Sequence, residues 1–213
     1  MDITWLGYSC FRIKGKEVVV ITDPYHPSLG YPLNKLQADI VTLSHSHPGH
    51  SYTTPITSEF RAIEGPGEYE LKGIFITGIA TFHDAERGAK LGKNTVYLIE
   101  IEGLKLCHLG DLGHLPESEQ MEALTDVDVL FLPVGGVTTI SGATAAEIVR
   151  HVSPKVAIPM HYKTPVLSKD METADRFFKE LGIKEIASQP KLSVSRAGLS
   201  TEGTKVIVLD YPH

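Results

Sequence analysis

Ile40-Val41-Thr42-Leu43-Ser44-His45-Ser46-His47-Pro48-Gly49-His50 passes from an apolar segment directly into three imidazoles within six positions. The apolar run is short and rich in β-branched residues, so it reads as a strand. If the strand continues through His45 and His47, two apart, their side chains project to one face and can converge on one ion. Pro48 and Gly49 then break the strand, and the kink carries His50 round to a neighbouring position. Neutral imidazole is the commonest nitrogen ligand for metals, and zinc is the usual guest of histidine-rich sites. The competing reading is a solvated polar loop, but turns draw on Gly, Pro, Asn, Asp and Ser and gain nothing from three imidazoles. A metal site at a strand end follows, and the rest of the chain must complete it.

Outward from that stretch the first half reads as β structure. Ile3 to Leu6, Cys10 to Lys14 and Glu17 to Thr22 form a meander, followed by strands at Phe60 to Ile63, Glu68 to Leu71 and Ile74 to Thr81. Thr95 to Glu102 and Leu104 to Leu109 flank Gly103 as a hairpin. Helices are expected at Pro116 to Leu124, Ala143 to Val152 and Lys169 to Leu181, the last on apolar spacing through Met171, Ala174, Phe177, Phe178 and Leu181. Strands at Val127 to Leu132, Val156 to Pro159 and Lys205 to Leu209 complete the pattern. Strands with a few amphipathic helices imply layers, with helices over the outer faces of sheets.

Three of these strands deliver one ligand-type residue each at their C-terminal ends: His83 after Gly78 to Phe82, Asp111 after Leu106 to Gly110, and His161 after Ala157 to Met160. Loops at strand ends are where rigid scaffolds present chemistry. Alone, a histidine after an apolar strand is more often a structural, hydrogen-bonded residue than a ligand, and each of the three is a weak signal. Beside the cluster at 45 to 50, which needs further donors to complete one or two four-coordinate sites, each becomes a ligand candidate.

Length and composition bound the function. At 213 residues and 42% hydrophobic content the chain can bury a substantial core and reads as a single domain, 1–213. No apolar run approaches the roughly 20 residues that span a bilayer, and Met-Asp-Ile-Thr-Trp is not a secretory leader. Cys10 and Cys107 lie far apart among apolar neighbours and read as two buried thiols, which suits a cytoplasmic compartment. A formal net charge of −6 argues against nucleic acid and for a small-molecule substrate.

Taken in order, Thr22-Asp23, His45-x-His47-x-x-His50, the His83 segment, Leu109-Gly110-Asp111 and Pro159-Met160-His161-Tyr162 resemble the metallo-β-lactamase superfamily, specifically its small single-domain hydrolases of the ascorbate-6-phosphate lactonase kind. The resemblance runs almost the whole length. It implies the four-layer αββα sandwich and a zinc-dependent hydrolase, with iron or manganese as possible substitutes at an N/O dinuclear site. It implies that His45, His47 and His83 hold a first metal, that His50 and His161 hold a second, and that Asp111 bridges them, which makes Asp111 and His50 the catalytic pair. Asp23 becomes a carboxylate that orients a ligand imidazole, a role compatible with capping the turn before Pro24.

The superfamily signature carries Asp directly before its third histidine, and here that position is Gly49. The departure removes an anionic ligand from the second site and leaves three candidates there, still an acceptable catalytic arrangement when water fills the fourth place. Tyr162 and Lys163, directly after His161, and His114, after Gly113, are the expected substrate contacts. Arg87, Lys90 and Lys93 read mainly as a solvated charged loop, and His108 as a core residue. The function expected is hydrolysis of a small ester, lactone or phosphate-bearing metabolite by a metal-activated water. The alternatives are a metal-dependent phosphodiesterase or nuclease, and a non-catalytic metal-binding member of the fold.

Overall fold

In a computed structural model, residues 1–200 and 202–212 are described. The strands are β1 (Asp2–Gly7), β2 (Cys10–Lys14), β3 (Val19–Thr22), β4 (Ile40–Leu43), β5 (Arg61–Glu64), β6 (Gly67–Leu71), β7 (Ile74–Phe82), β8 (Lys93–Ile101) and β9 (Leu104–His108). Helix α1 (Ser118–Ala123) precedes β10 (Val129–Pro133), and α2 (Gly142–Val152) precedes β11 (Val156–Met160). Helix α3 (Asp175–Glu180) is followed by the short strands β12 (Ser188–Gln189), β13 (Leu192–Ser193), β14 (Lys205–Val206) and β15 (Val208–Leu209). One sheet runs β13-β1-β2-β3-β4-β5, a second runs β14-β11-β10-β9-β8-β7-β6, and β12 pairs with β15.

The two large sheets face each other across one core. Ile3, Trp5, Phe11, Ile13, Val20 and Ile40 of the first sheet meet Tyr97, Ile99, Leu106, Phe131, Ile158 and Met160 of the second. Alternation does the sorting: along β8, Tyr97 and Ile99 point into that core while Val96 and Leu98 point out to the helix layer. There Ala145, Ala146, Ile148 and Val149 of α2 and Phe177 of α3 cover the second sheet. Helix α2 starts where Ser141 Oγ accepts from Thr144 N at 3.2 Å.

The chain is thus an α/β sandwich with the two packed sheets and one helical layer of the expected αββα arrangement, and it differs in the outer layer of the first sheet. Among the described residues that face is covered by the 3₁₀ turn Pro27–Leu29 and by irregular segments bringing Tyr31, Ala38, Leu167 and Met171, not by an α-helix. The helix expected over Lys169 to Leu181 shrinks to Asp175–Glu180. Glu172 shows why: its carbonyl accepts from Lys163 N and its amide donates to Gly135 O, both at 2.9 Å, so that backbone is committed to neighbouring loops.

Strands β4, β10 and β11 are buried at every position. Each has a parallel neighbour, β3 and β5 for β4, and β9, β11 and β14 around the other two. Continuous apolar runs suit strands covered on both faces. Their C-terminal ends gather at one edge of the sandwich. No helix among the described residues is long and apolar enough to cross a membrane.

Candidate metal centre

Each ligand-type residue begins just beyond the end of a strand: Asp23 after β3, His45, His47 and His50 after β4, His83 after β7, Asp111 after β9 and His161 after β11. One expectation is corrected. β4 stops at Leu43, so His45 and His47 lie in the bend that follows and are not same-face positions of a strand. The bend still converges their rings, 4.6 Å apart, and both rest against His83 at 4.7 and 5.2 Å. The turn closes with His50 N donating to His47 O at 2.8 Å, which returns His50 to the buried side.

Asp111 lies at the hub. Its Oδ2 is 3.0 Å from His50 Nε2, 3.1 Å from His161 Nε2, 3.2 Å from His83 Nε2 and 3.9 Å from His45 Nε2. Yet Nε2 of His45, His50 and His161 and Oδ1 of Asp111 are buried without an aligned hydrogen-bond partner. Buried polar atoms are nearly always satisfied, so orphans grouped in one place need an explanation. Imidazole nitrogens crowded around one carboxylate without aligned hydrogen bonds are the donor set of a divalent transition metal. The ligand atoms of His45, His47 and His83 lie within 4.8 Å of one another, and so do those of His45, His50 and Asp111. The residues fit metal, as two donor groups that share His45.

Behind the donors, Asp23 is fully buried and accepts three hydrogen bonds. Oδ1 takes Ser44 N at 2.8 Å, while Oδ2 takes Ser44 Oγ and, at 3.0 Å, His50 Nδ1. Ser44 Oγ in turn accepts from His45 Nδ1 at 2.9 Å. With Asp23 able only to accept, both imidazoles carry hydrogen on Nδ1, which leaves Nε2 as the nitrogen that faces the site. Asp111 is fixed separately: its N–H donates to Asn94 Oδ1 at 2.9 Å, and Asn94 Nδ2 donates to Thr81 Oγ1 and Leu109 O. Gly110, at φ +57°, makes this approach possible, since a Cβ there would lie 2.4 Å from Asn94 Oδ1 and 2.6 Å from Ser44 Cβ.

His83 is steadied by Asp84, whose carboxylate accepts from the backbone N–H of Glu86, Gly88, Lys90 and Leu91 and so closes the following loop. His161 donates its N–H to Tyr8 O, and its own carbonyl accepts from Gly135 N, both at 3.0 Å. The charges compete within this cluster. Burial opposes the proton on His50, but Asp111 and then Asp23 raise it to about 9. His45 is lowered to about 3, by burial first and then by His50. Asp111 stays well below the carboxylate range because His161 and His50 outweigh its burial.

The three expected substrate contacts have other work. Tyr162 stacks on Trp5 at 5.3 Å and packs against the inter-sheet core. Lys163 Nζ donates to Leu167 O at 2.8 Å and Lys169 O at 2.7 Å, closing its own loop. His114 accepts from Phe82 N and donates to Leu115 O, bracing the strand that leads to His83. Arg87 and Lys90 pair with Glu117 and Glu86 on the surface. His108 is a core residue, bonding Ser9 O and Gly110 N.

A cavity of about 730 Å³ opens beside the donors, with His45, His47, Ser51, Phe60, Leu91 and Lys93 among its walls. A larger one of about 850 Å³, among Glu102, Lys105, Asp128, Lys155 and Arg196, borders neither donor group. Ser44 and Asn94 were not singled out in the sequence. Ser44 adjoins His45, so the linking serine was visible only as a turn residue, and nothing marked Asn94, at the start of β8.

Comparisons with known proteins agree with this geometry. The beta-lactamase superfamily domain matches residues 2–161. A protein of Pyrococcus abyssi is 32% identical over 183 residues, covering 77% of this chain and 84% of that one. A metal-dependent hydrolase of Methanopyrus kandleri is 27% identical over 219 residues, 86% of this chain and 94% of that one. Among solved structures, a candidate zinc-dependent hydrolase of the metallo-beta-lactamase superfamily from Thermotoga maritima superposes with a TM-score of 0.80 at 38% identity, covering 98% of this chain and 97% of that one.

Proposed function

The chain belongs to the metallo-β-lactamase superfamily and is a metal-dependent hydrolase, and from that premise we propose that it is a single-domain zinc enzyme acting on a small ester, lactone or phosphate-bearing metabolite. His45, His47 and His83 would hold a first ion and His50 and His161 a second, with Asp111 between them. The observation that carries this reading is the position of Asp111 Oδ2, within 3.9 Å of four imidazole nitrogens, three of them without an aligned partner. A bound zinc supplies a water acidified to near neutral pH and polarises the substrate carbonyl or phosphoryl oxygen.

The protein's own part is positional and electrostatic. Asp23 holds the His50 tautomer directly and the His45 tautomer through Ser44. Asp111 brings the anion that offsets dications in a buried site. Cys10 and Cys107 are buried with thiols raised by burial, so neither serves as a nucleophile, and as free thiols they suit the cytoplasm. The cavity of about 730 Å³ is of the size that takes a small ligand.

The test is elemental analysis of tag-free protein, followed by hydrolysis of a panel of aryl esters, lactones, phosphomonoesters and phosphodiesters. Stoichiometric zinc and ester, lactone or monoester hydrolysis abolished by chelator and restored by zinc are expected. A protein that neither retains nor takes up metal contradicts the proposal. Zinc held with no hydrolysis of any substrate favours a non-catalytic role, and turnover of phosphodiesters alone favours a nuclease-like one.

A further inference from the structure

The side of the centre where Gly49 stands is filled by Tyr8. A Cβ on Gly49 would lie 3.1 Å from Tyr8 Cε1. The Tyr8 ring sits 4.2 Å from the His161 ring and 5.1 Å from the His50 ring, centroid to centroid. Its backbone is anchored, with the carbonyl accepting from Trp5 Nε1 and from His161 N, both at 3.0 Å. The hydroxyl accepts from Lys169 Nζ at 3.1 Å, and the same ammonium stands 5.2 Å from the ring centroid. A phenol, with an ordinary pKa of about 10, carries its hydrogen at neutral pH. Among the described residues that hydrogen is donated to no acceptor, and no carboxylate pairs with Lys169.

Lys169 is exposed yet not loose. Its carbonyl is held by Lys163 Nζ at 2.7 Å, and the preceding Ser168 is fixed to the 3₁₀ turn through Ser168 N to Leu29 O at 2.9 Å and Ser168 Oγ to Ser28 O at 2.8 Å. The ammonium lies over the ring that packs on His161 and His50. A braced cation and an uncommitted O–H donor therefore stand together at the rim of the second donor group, on the side where a carboxylate at position 49 would have repelled an anion.

We propose that Lys169 Nζ and Tyr8 Oη form an anion subsite that binds a carboxylate or phosphate of the substrate beside the metal centre. The inference rests on the metal-hydrolase reading and narrows its substrates to anionic ones. Lys169 offers the charge and Tyr8 the directed hydrogen bond, a charge-assisted pair in which an exposed cation meets a buried phenol. The structural alternative is that the pair only secures the loop from Lys163 to Lys169.

Calorimetric binding of inorganic phosphate and of acetate to the zinc-loaded full chain tests this, with zinc content measured in every variant. Phosphate, acetate or both should bind the parent, and the stronger of the two identifies the substrate group. Lys169→Ala and Tyr8→Phe should each weaken binding at least tenfold at unchanged zinc content, while Lys169→Arg retains most of it and Arg87→Ala, which alters a surface cation, leaves it unchanged. Parent-like anion binding in Lys169→Ala, or no anion binding by the zinc-loaded parent, overturns the inference and leaves the metal reading intact. Lys169-dependent anion binding by a protein that holds no zinc overturns the metal reading and leaves the subsite standing.

Discussion

Replacing Asp23 by Asn changes one atom and reverses a proton. Asp23 Oδ2 accepts from His50 Nδ1 at 3.0 Å and from Ser44 Oγ, and Oδ1 accepts from Ser44 N at 2.8 Å. In the variant, the amide oxygen stays with Ser44 N, since only an acceptor can face a backbone N–H, and the NH₂ group then faces His50 Nδ1 and Ser44 Oγ. To avoid meeting a donor with a donor, the imidazole must move its hydrogen to Nε2, the atom 3.0 Å from Asp111 Oδ2. A protonated Nε2 cannot ligate. Loss of such an orienting partner typically costs 10–100-fold in metal affinity, about 1.4–2.7 kcal/mol. Here the upper end is expected, because Asp23 is completely buried and also reaches His45 through Ser44. Competition against a chromophoric zinc chelator gives the affinity, and circular dichroism confirms that the fold survives. A folded Asp23→Asn protein with parental zinc affinity would refute the tautomer argument.

Gly49→Asp has no positive φ to overcome, but its Cβ would meet Tyr8 Cε1 at 3.1 Å, and the buried ring rests on His50 and His161. It should cost about 1–3 kcal/mol of stability by overpacking and leave second-site zinc no higher than in the parent, whereas the double variant with Tyr8→Ala should gain zinc. Two tight zinc ions in Gly49→Asp alone would show that the ring yields. Asp111→Asn should reduce zinc content and hydrolysis far more than His114→Ala, and equal values in both would remove Asp111 from the centre. With His50 raised to about 9 and His45 lowered to about 3, zinc must displace a proton from His50 but not from His45 at neutral pH. Second-site affinity should fall about tenfold per unit as pH drops below 9, while the first site holds to lower pH. Dialysis at stepped pH reads this out, and simultaneous loss of both ions would contradict it. The raised His50 also stabilises the metal-free fold fully below 6.5, its ordinary value, a contribution lost as pH rises through about 9.

The strands were legible because their alternation and apolar runs are local properties, and the ligand candidates were legible because each ends a strand. The length of the last long helix was not. Met171, Ala174, Phe177 and Leu181 share helical spacing, but Met171 is buried against the first sheet and Phe177 against the second, so the periodicity joins segments that face different layers. Lys163 beside His161 looked like the substrate contact because sequence adjacency was the only proximity available. In space the chain loops back, Lys163 becomes the brace, and Lys169 carries the ammonium to the rim. Tyr8 was hidden for the same reason. Nothing in a Gly7-Tyr8 turn indicates that its ring will fill the space beside Gly49.

The central claim is that the orphaned nitrogens around Asp111 are metal ligands. Anomalous diffraction at the zinc edge, from crystals of tag-free protein grown with zinc, tests it most directly. The account predicts a peak at about 2.0–2.1 Å from the ligating nitrogens of His45, His47 and His83, and a second, equal or weaker, near His50 and His161, with Asp111 between them. Anomalous density absent from this cluster in zinc-grown crystals, or found only elsewhere on the molecule, would contradict it.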